Sequence, residues 1–395
     1  MTTASDRREH MKYATLAIHG GEKDDSGKFG VNYPIYPDST FIQPEIGKFR
    51  DFCYSRGSNP TRNAVEKLAA DLEGARYGIA TASGMAATSL VFGLLESGDK
   101  LLINSNVYGG TWRFVSNIFK NRGISYEIVN NLNSYDFSKA EKSVRAVFIE
   151  TPSNPLLEIT DIKKVADAAH KKGILVIVDN TFMTSYLQKP LTLGADIVEY
   201  SATKYYAGHS DILAGLVITD NDELYGRLKF LNNTFGGILS PTDAFLLNRG
   251  IKTLPLRMEK HQQNALAIAE YLEKSPAVQA VFYPGLKSSR NYKIQRKQAS
   301  GNGGVLSLRL SPSYDGSRFI QNLKLFALAV SLGGVESLIC HPASMTHESY
   351  SPELQKQIGI DKPLLRMSAG IEDSDDLIKD IEQALRKAKK RGKQS

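Results

Sequence analysis

The chain has 395 residues, of which 42% are hydrophobic and 23% are charged, a composition typical of a globular protein with roughly two to three domains. No apolar run approaches about 18 residues and residues 1–10 have no apolar core, so we expect neither a membrane span nor a signal peptide. The net charge is +7, but six positive charges lie in residues 386–393; this predicts a solvated basic helix end and no nucleic-acid partner.

The first 60 residues contain many glycines and prolines and little hydrophobic periodicity. Such a segment cannot build a core of its own, which predicts an extended arm that contacts a neighbouring subunit. We therefore set the first domain boundary after residue 60.

Residues 61–254 alternate between helical and strand patterns. Residues 61–74 have a single apolar helix face that ends at a glycine. Strands are predicted for the short apolar runs at 101–104, 126–129, 146–149, 174–178, 197–200 and 213–218. Alternation of this kind predicts an α/β domain with a buried, mainly parallel sheet covered by helices.

Residues 255–395 form a second unit in this interpretation. A long helical pattern at 255–274 opens it, and a helix from about residue 373 closes it. Between them, strands are predicted at 279–283, 305–310, 326–331 and 364–369. Interspersed strands and helices predict a smaller C-terminal α+β domain.

The cysteines and histidines argue against a disulfide-rich protein and against a metalloprotein. The two cysteines, Cys53 and Cys340, cannot form a disulfide framework, and a reducing, cytoplasmic location is the expectation. His341 and His347 share a loop, but their spacing is not that of a metal motif, so no metal is expected. The common motifs of P-loop ATPases, dinucleotide enzymes and α/β-hydrolases are also absent.

The most informative pair of polar residues is Asp179 and Lys204. Each follows an apolar run that is predicted to be a strand, and ligands of open α/β sheets collect at the carboxyl ends of strands. Lys204 lies among small and hydroxyl residues, where burial would lower its pKa and make it an amine nucleophile. An acid, a lysine and hydroxyl groups are what pyridoxal phosphate requires, namely a partner for its ring nitrogen, a covalent anchor and phosphate donors.

A second signal is the segment Ser83-Gly84-Met85-Ala86, which opens a helical pattern directly after the apolar run YGIATA. Backbone N–H groups at such a strand-to-helix turn can bind an anion, because the helix dipole favours negative charge there. An ordinary serine N-cap without a ligand explains the same pattern equally well.

Many motifs in a single order along the chain resemble the Cys/Met-metabolism family of pyridoxal-phosphate enzymes. They are YSRGSNPTR, SGMAA, VYGGTWR, ETPSNP, VDNTF, YSATKYYAGHSD, RGIKTLPLRMEKH, SLGGVESL, HPASMTH and LLRMSAGIED. The resemblance implies the type I, aspartate aminotransferase-like fold, with a large cofactor-binding domain and a smaller C-terminal domain. It also implies a homotetramer, built as a dimer of dimers, with active sites shared between subunits.

The resemblance further assigns roles to individual residues. Lys204 matches the lysine that anchors the cofactor and acts as a base, and Tyr108 matches the tyrosine that stacks on the ring and acts as a second catalytic group. The cofactor-binding positions are Tyr54, Arg56, Gly84, Met85, Tyr108, Asn154, Asp179, Ser201, Thr203 and Lys204, with Tyr54 and Arg56 supplied by the neighbouring subunit. The substrate-binding positions are Arg113, Ser331, Leu332, Glu336 and Arg366.

The implied activity is that of a carbon–sulfur lyase which eliminates a thiol from L-cystathionine. β-Elimination, γ-elimination and γ-replacement by a cystathionine γ-synthase all remain open, with methionine or homocysteine γ-lyase next. Gly110 stands where methionine γ-lyases usually have cysteine, which argues against the last activity. Cys53 stands where many cystathionine enzymes have an acid, so recognition of the distal end of the substrate is undecided.

Overall fold

The computed structural model describes residues 11–21 and 30–390, and within them two sheets form the framework of the protein. The larger sheet has seven strands in the order β1-β7-β6-β5-β4-β2-β3. Its members are β1 Tyr77–Thr81, β2 Lys100–Asn104, β3 Ser125–Val129, β4 Val144–Glu150, β5 Leu175–Asp179, β6 Ile197–Tyr200 and β7 Gly215–Thr219. Strand β7 is antiparallel to β1 and β6 and the other neighbours are parallel, which confirms the predicted α/β class with a mainly parallel sheet.

Thirteen α-helices lie in the described part of the chain. They are α1 Tyr13–His19, α2 Pro60–Glu73, α3 Gly84–Phe92, α4 Gly109–Asn117, α5 Ile162–His170, α6 Thr184–Leu187, α7 Asp222–Phe235, α8 Pro241–Ile251, α9 Leu254–Glu273, α10 Tyr292–Gln298, α11 Gly316–Asn322, α12 Pro352–Gln357 and α13 Ser374–Ala388. Short 3₁₀ turns cover Phe119–Arg122, Leu132–Ser134, Phe137–Lys139, Pro190–Leu193 and Pro342–Ser344.

Alternation along the strands assigns side chains to the two faces of the larger sheet. In β5, Val176 and Val178 pack into the cluster on the side of α2 and α5, whereas Ile177 packs into the cluster on the side of α3 and α4. Because successive side chains point to opposite faces, Asp179 lies on the same face as Ile177. The acid that ends the strand therefore faces α3 and α4.

The smaller sheet has five strands in the order β10-β11-β12-β9-β8. They are β8 Val278–Phe282, β9 Val305–Leu310, β10 Ala327–Leu328, β11 Leu338–Cys340 and β12 Leu364–Ser368. Apolar residues of this sheet share one buried cluster with α9, α11 and α13. The predicted domain boundaries after residues 60 and 254 stay predictions.

Three details differ from the sequence-based expectations. Helix α1 lies in the arm that was predicted to be extended, because Leu16 and Ala17 bury themselves in the cluster that includes α2. The strand predicted at 326–331 is reduced to Ala327–Leu328, and strand β11 was not predicted.

The basic end of the chain is exposed, as predicted, and Arg386 and Lys387 lie in the last turn of α13. Its backbone is anchored beyond the helix, because Lys389 forms a β-bridge with Tyr314 and the backbone N–H of Lys390 donates to the carbonyl oxygen of Ser313 at 2.9 Å. Arg391 and Lys393, also part of this predicted basic end, lie outside the described residues. Within the described ranges, no helix is long and apolar enough to cross a membrane.

Candidate active site

A cleft of about 450 Å³ lies at the carboxyl ends of the central strands, where ligands of open α/β sheets bind. The C-terminal part of the chain closes it with Val330, Ser331, Leu332 and Arg366. The predicted site residues that line this cleft are Gly84, Met85, Tyr108, Arg113, Asn154, Asp179, Ser201, Thr203, Lys204, Ser331, Leu332 and Arg366. The fold thus brings most of the predicted residues into a single cavity.

Lys204 follows β6 and its side chain projects into the cleft. Its Nζ donates a hydrogen bond to Ser331 Oγ at 2.8 Å. Burial, together with the positive charge of Arg366, lowers the pKa of Lys204 to about 8. About a tenth of this amine is consequently neutral at pH 7, the form that acts as a nucleophile or a base.

Asp179 ends β5 and accepts hydrogen bonds from a single neighbour. The backbone N–H of Thr181 donates to Asp179 Oδ1 at 2.9 Å, and the Thr181 hydroxyl is a second donor. Burial raises the pKa of Asp179, and both of these hydrogen bonds oppose that rise. Thr181 therefore favours the charged form of this half-buried acid at the floor of the cleft.

Arg366 lies on β12 and is held by two acceptors. Its Nη1 donates to Asn154 Oδ1 at 2.9 Å and its Nη2 donates to the carbonyl oxygen of Ser331 at 2.8 Å. Arg366 Nε is buried and has no partner among the described residues. A guanidinium held in this way presents a planar set of donors to the cleft, which suits a carboxylate.

The N-terminus of α3 forms the part of the cleft that suits a phosphate. Ser83 caps this helix, since its Oγ accepts from the backbone N–H of Ala86 at 3.1 Å. A Cβ on Gly84 would fall 2.7 Å from Ser201 Oγ, so only glycine allows this close approach. Thr203 lines the same region. Its hydroxyl donates to the carbonyl oxygen of Ala214 at 3.2 Å, so in this arrangement the hydroxyl proton is not available to a phosphate.

Tyr108 precedes α4, lines the cleft and is 44% exposed as a residue. Its backbone N–H donates to Glu150 Oε2 at 2.7 Å, so a buried acid fixes its position. A Cβ on Gly110 would fall 2.4 Å from Tyr108 Cε1 and 2.7 Å from Met85 Sδ. Any larger side chain at position 110 would displace Tyr108 or Met85.

Two buried acids of the cleft, Glu150 and Glu199, were missed by the sequence reasoning. Asp179 is paired in register with Glu150 of β4 on one side and with Glu199 of β6 on the other. The available signal was that each acid closes or nearly closes an apolar run. Burial raises the pKa of both glutamates, and the charge of Asp179 adds to the rise.

Among the described residues, no group of three or more His, Cys, Asp or Glu is arranged to hold a metal ion.

Three predicted site residues do not line this cleft, namely Tyr54, Arg56 and Glu336. The Tyr54 side chain is 49% exposed, and Arg56 Nε donates to Asn233 Oδ1 at 3.2 Å. Glu336 is exposed and accepts a hydrogen bond from Ser210 Oγ at 3.4 Å. The roles assigned to these three residues stay predictions.

The residues of the cleft fit pyridoxal phosphate. A lysine of lowered pKa can anchor an aldehyde, and an acid whose two hydrogen bonds favour its charged form can pair with a protonated ring nitrogen. The glycine at the N-terminus of α3 leaves room for a phosphate against backbone N–H groups. Arg366 lies beside Asn154 and Ser331, where the carboxylate of an amino acid would bind.

Comparison with known proteins agrees with this chemistry. Cystathionine gamma-lyase of Bacillus subtilis (strain 168) is 48% identical over 376 residues, covering 95% of this chain and 99% of the relative. Cystathionine beta-lyase of Lactococcus lactis subsp. cremoris (strain MG1363) is 48% identical over 374 residues, covering 94% and 98%.

Solved structures agree as well. The structure of cystathionine gamma-lyase from Lactobacillus plantarum complexed with L-serine has a TM-score of 0.93 at 42% identity, covering 96% of this chain and 99% of that one. The structure of cystathionine gamma synthase from Xanthomonas oryzae pv. oryzae in complex with aminoacrylate and cysteine has a TM-score of 0.93 at 40% identity, covering 96% and 98%. The profile described as "Cys/Met metabolism PLP-dependent enzyme" matches residues 14–386. With this match and the lysine, acid and arginine of the cleft, the chain belongs to the pyridoxal-phosphate-dependent enzymes of cysteine and methionine metabolism.

Proposed function

We propose that the protein is a carbon–sulfur lyase that eliminates a thiol from L-cystathionine. The observation that carries the proposal is the position of Lys204 Nζ, 2.8 Å from Ser331 Oγ and beside the guanidinium of Arg366. An amino acid whose carboxylate binds Arg366 brings its Cα close to the amine of Lys204. β- or γ-Elimination starts with removal of the proton on that carbon.

Each residue then has a distinct task. The bound cofactor supplies a covalent link to the substrate amino group and an electron sink. Arg366 orients the α-carboxylate, and Lys204 in its neutral form accepts the Cα proton. Asp179 keeps the proton on the ring nitrogen, and the hydroxyl of Tyr108 lies on the wall of the same cleft as a proton donor to the leaving sulfur.

Two observations favour cystathionine over methionine as the substrate. Arg113 is exposed and lines the mouth of the cleft, where it suits the second carboxylate of cystathionine. Gly110 has no space for the cysteine expected of a methionine γ-lyase unless Tyr108 or Met85 moves. The relatives include β-lyases and γ-lyases at the same identity, so both eliminations belong to the proposal. The second candidate is γ-replacement, since similar solved structures include a γ-synthase.

Product analysis tests the proposal. The holoenzyme is incubated with L-cystathionine, and thiols and 2-oxo acids are quantified. Pyruvate with homocysteine reports β-elimination, and 2-oxobutanoate with cysteine reports γ-elimination. Lys204→Ala should abolish both, whereas Lys163→Ala, which changes an exposed lysine paired with Asp167, should not. The proposal would be wrong if the enzyme formed cystathionine from an O-acylhomoserine and cysteine but released no 2-oxo acid from cystathionine. The protein would then be a cystathionine γ-synthase.

We also propose that two copies of the chain share each active site and that two such dimers form a homotetramer. Tyr54 and Arg56 lie outside the cleft of their own chain. The same arm exposes large apolar side chains, with Ile42 85%, Ile46 104% and Phe49 72% exposed. Apolar surface of this extent favours burial against another copy, which would bring Arg56 to a neighbouring phosphate.

Subunit mixing tests the shared site. Arg56→Ala and Lys204→Ala proteins are unfolded and refolded together, and activity is compared with each parent. If the sites are shared, each mixed dimer has one intact site, and about a quarter of the wild-type activity returns because about half of the dimers are mixed. Activity at the parental average, in a mixture shown to contain mixed dimers, contradicts sharing.

We also propose a cytoplasmic location. It is supported by the two cysteines, exposed Cys53 and buried Cys340, which form no disulfide, as is typical of proteins in a reducing compartment.

A further inference from the structure

Three acids form a row across the floor of the cleft, although only one of them has a role in the proposed chemistry. Glu150, Asp179 and Glu199 are paired in register on β4, β5 and β6 and point to the same face of the sheet. Neighbouring strands lie about 4.8 Å apart, so Asp179 has an acid on each side at short range. Three negative charges in such a row would repel one another strongly.

The hydrogen bonds of Glu199 indicate how the row avoids this repulsion. Glu199 is 2% exposed, and its Oε1 lies 2.8 Å from Thr88 Oγ1. Thr88 Oγ1 also lies 3.1 Å from the carbonyl oxygen of Gly84, one turn earlier in α3. The hydroxyl has a single proton, and the carbonyl can only accept it. Glu199 is the one partner of the two that can itself donate, provided that it carries a proton.

The remaining surroundings of Glu199 also favour a neutral acid. Its Oε2 is buried and has no hydrogen-bond partner in the described part of the chain. Burial raises its pKa and the charges of Asp179 and Glu150 add to the rise, whereas the hydrogen bond with Thr88 is the one contribution that opposes it. A buried carboxylate is stable only with several donors or a cation, and neither is provided here.

Asp179 has the opposite surroundings. Both of its hydrogen bonds come from Thr181, one from the N–H and one from the hydroxyl, and the two stabilise a carboxylate. The Thr181 hydroxyl is itself oriented, because its oxygen accepts from the backbone N–H of Ser201 at 2.8 Å. In this row, Asp179 is therefore placed only to accept hydrogen bonds, whereas its neighbour Glu199 is placed to donate one.

We propose that Glu199 is a positioning residue in its neutral, protonated form. Its proton is donated to Thr88 Oγ1, which fixes the first turn of α3, and its neutrality leaves Asp179 as the charged acid between β4 and β6. The link from these contacts to the cofactor rests on the proposed function. The protonation of Glu199 does not, because it follows from contacts within the chain.

Infrared difference spectroscopy tests the protonation directly. Spectra of the wild-type holoenzyme and of Glu199→Gln are subtracted at neutral pH. The proposal expects loss of the carbonyl stretch of a protonated carboxyl. Loss of the two carboxylate stretches instead would overturn it. Glu141→Gln is the matched control, because Lys100 holds the pKa of exposed Glu141 below its usual value, and its difference spectrum should show the carboxylate stretches.

A second variant keeps Glu199 in place and changes only its partner. Thr88→Val removes the hydroxyl from a side chain of the same shape, so the Glu199 proton loses its acceptor. The protonated carbonyl stretch should move to the frequency of a more weakly hydrogen-bonded acid. A change confined to the carboxylate stretches would contradict the proposal even if Glu199→Gln does not fold.

Cofactor affinity tests the positioning role. Glu199→Leu removes the donor without adding charge, and we expect the dissociation constant of pyridoxal phosphate to rise about tenfold through loss of one buried hydrogen bond. Glu199→Gln restores a neutral donor and should recover most of this loss. Equal weakening in both variants would exclude the role. If cystathionine is not a substrate but the infrared result holds, only the proposed function fails.

Discussion

The lowered pKa of Lys204 leads to a quantitative expectation for the apoenzyme. With a pKa of about 8, roughly 9% of the Lys204 side chains are neutral at pH 7, compared with about 0.03% for an ordinary lysine. Only the neutral amine reacts with an aldehyde, so about 300 times more reactive amine is present at pH 7 than at an unperturbed lysine, and capture of pyridoxal phosphate should be faster by up to about that factor.

The assay follows the absorbance at about 420 nm that is expected when this cofactor is bound to a lysine. Apoenzyme is mixed with pyridoxal phosphate at a series of pH values, and the rate is fitted to a single ionisation. The rate should rise with pH and level off above about pH 8. A rate that still increases in proportion to hydroxide at pH 10 would refute the reasoning.

A pair of arginine variants separates the two causes of the shift. Burial is the larger cause and the charge of Arg366 is the second. Arg366→Met removes that charge, so the midpoint should move to higher pH while staying below that of a free lysine. Arg113→Met changes another arginine of the same cleft that does not act on Lys204, and its midpoint should stay in place.

Three further outcomes are expected. Arg366→Lys should weaken binding of every amino-acid substrate by about 10- to 100-fold, measured by spectral titration, because an ammonium cannot present a planar pair of donors. Gly84→Ala should lower cofactor affinity without unfolding the protein, since its Cβ would fall 2.7 Å from Ser201 Oγ; equal affinity by equilibrium dialysis would contradict this contact. Glu73, buried beside Tyr200, has its pKa raised from 4.5 to about 8. Between about pH 4.5 and pH 8 the folded protein retains that proton and the unfolded chain loses it, so Glu73 should lower the free energy of unfolding by about 1.4 kcal/mol per pH unit. Glu73→Gln should reduce the slope measured in urea titrations by that amount, and an unchanged slope would exclude Glu73 as a contributor.

Local pattern was sufficient to predict the framework of the site. The apolar runs that precede Asp179 and Ser201 are strands, and the carboxyl ends of parallel strands meet at a single edge of the sheet. Asp179 and Lys204 could therefore be placed together from the sequence. Local hydrophobic periodicity predicts the strands, and ligand sites of α/β folds lie at the carboxyl ends of such strands. The motifs also identified the family and its cofactor correctly.

Tertiary structure alone decided the relations that depend on register and burial. Glu150 and Glu199 become neighbours of Asp179 only when β4, β5 and β6 align, and no spacing within the chain reports that alignment. Strand β11 and helix α1 were missed because long-range packing, rather than periodicity, stabilises such short elements. The pKa of Lys204 depends on its burial and on the charge of Arg366, far away in sequence. The sequence by itself therefore determined which chemical groups are present, and the folded chain determined which of them lie close enough to change one another's charge.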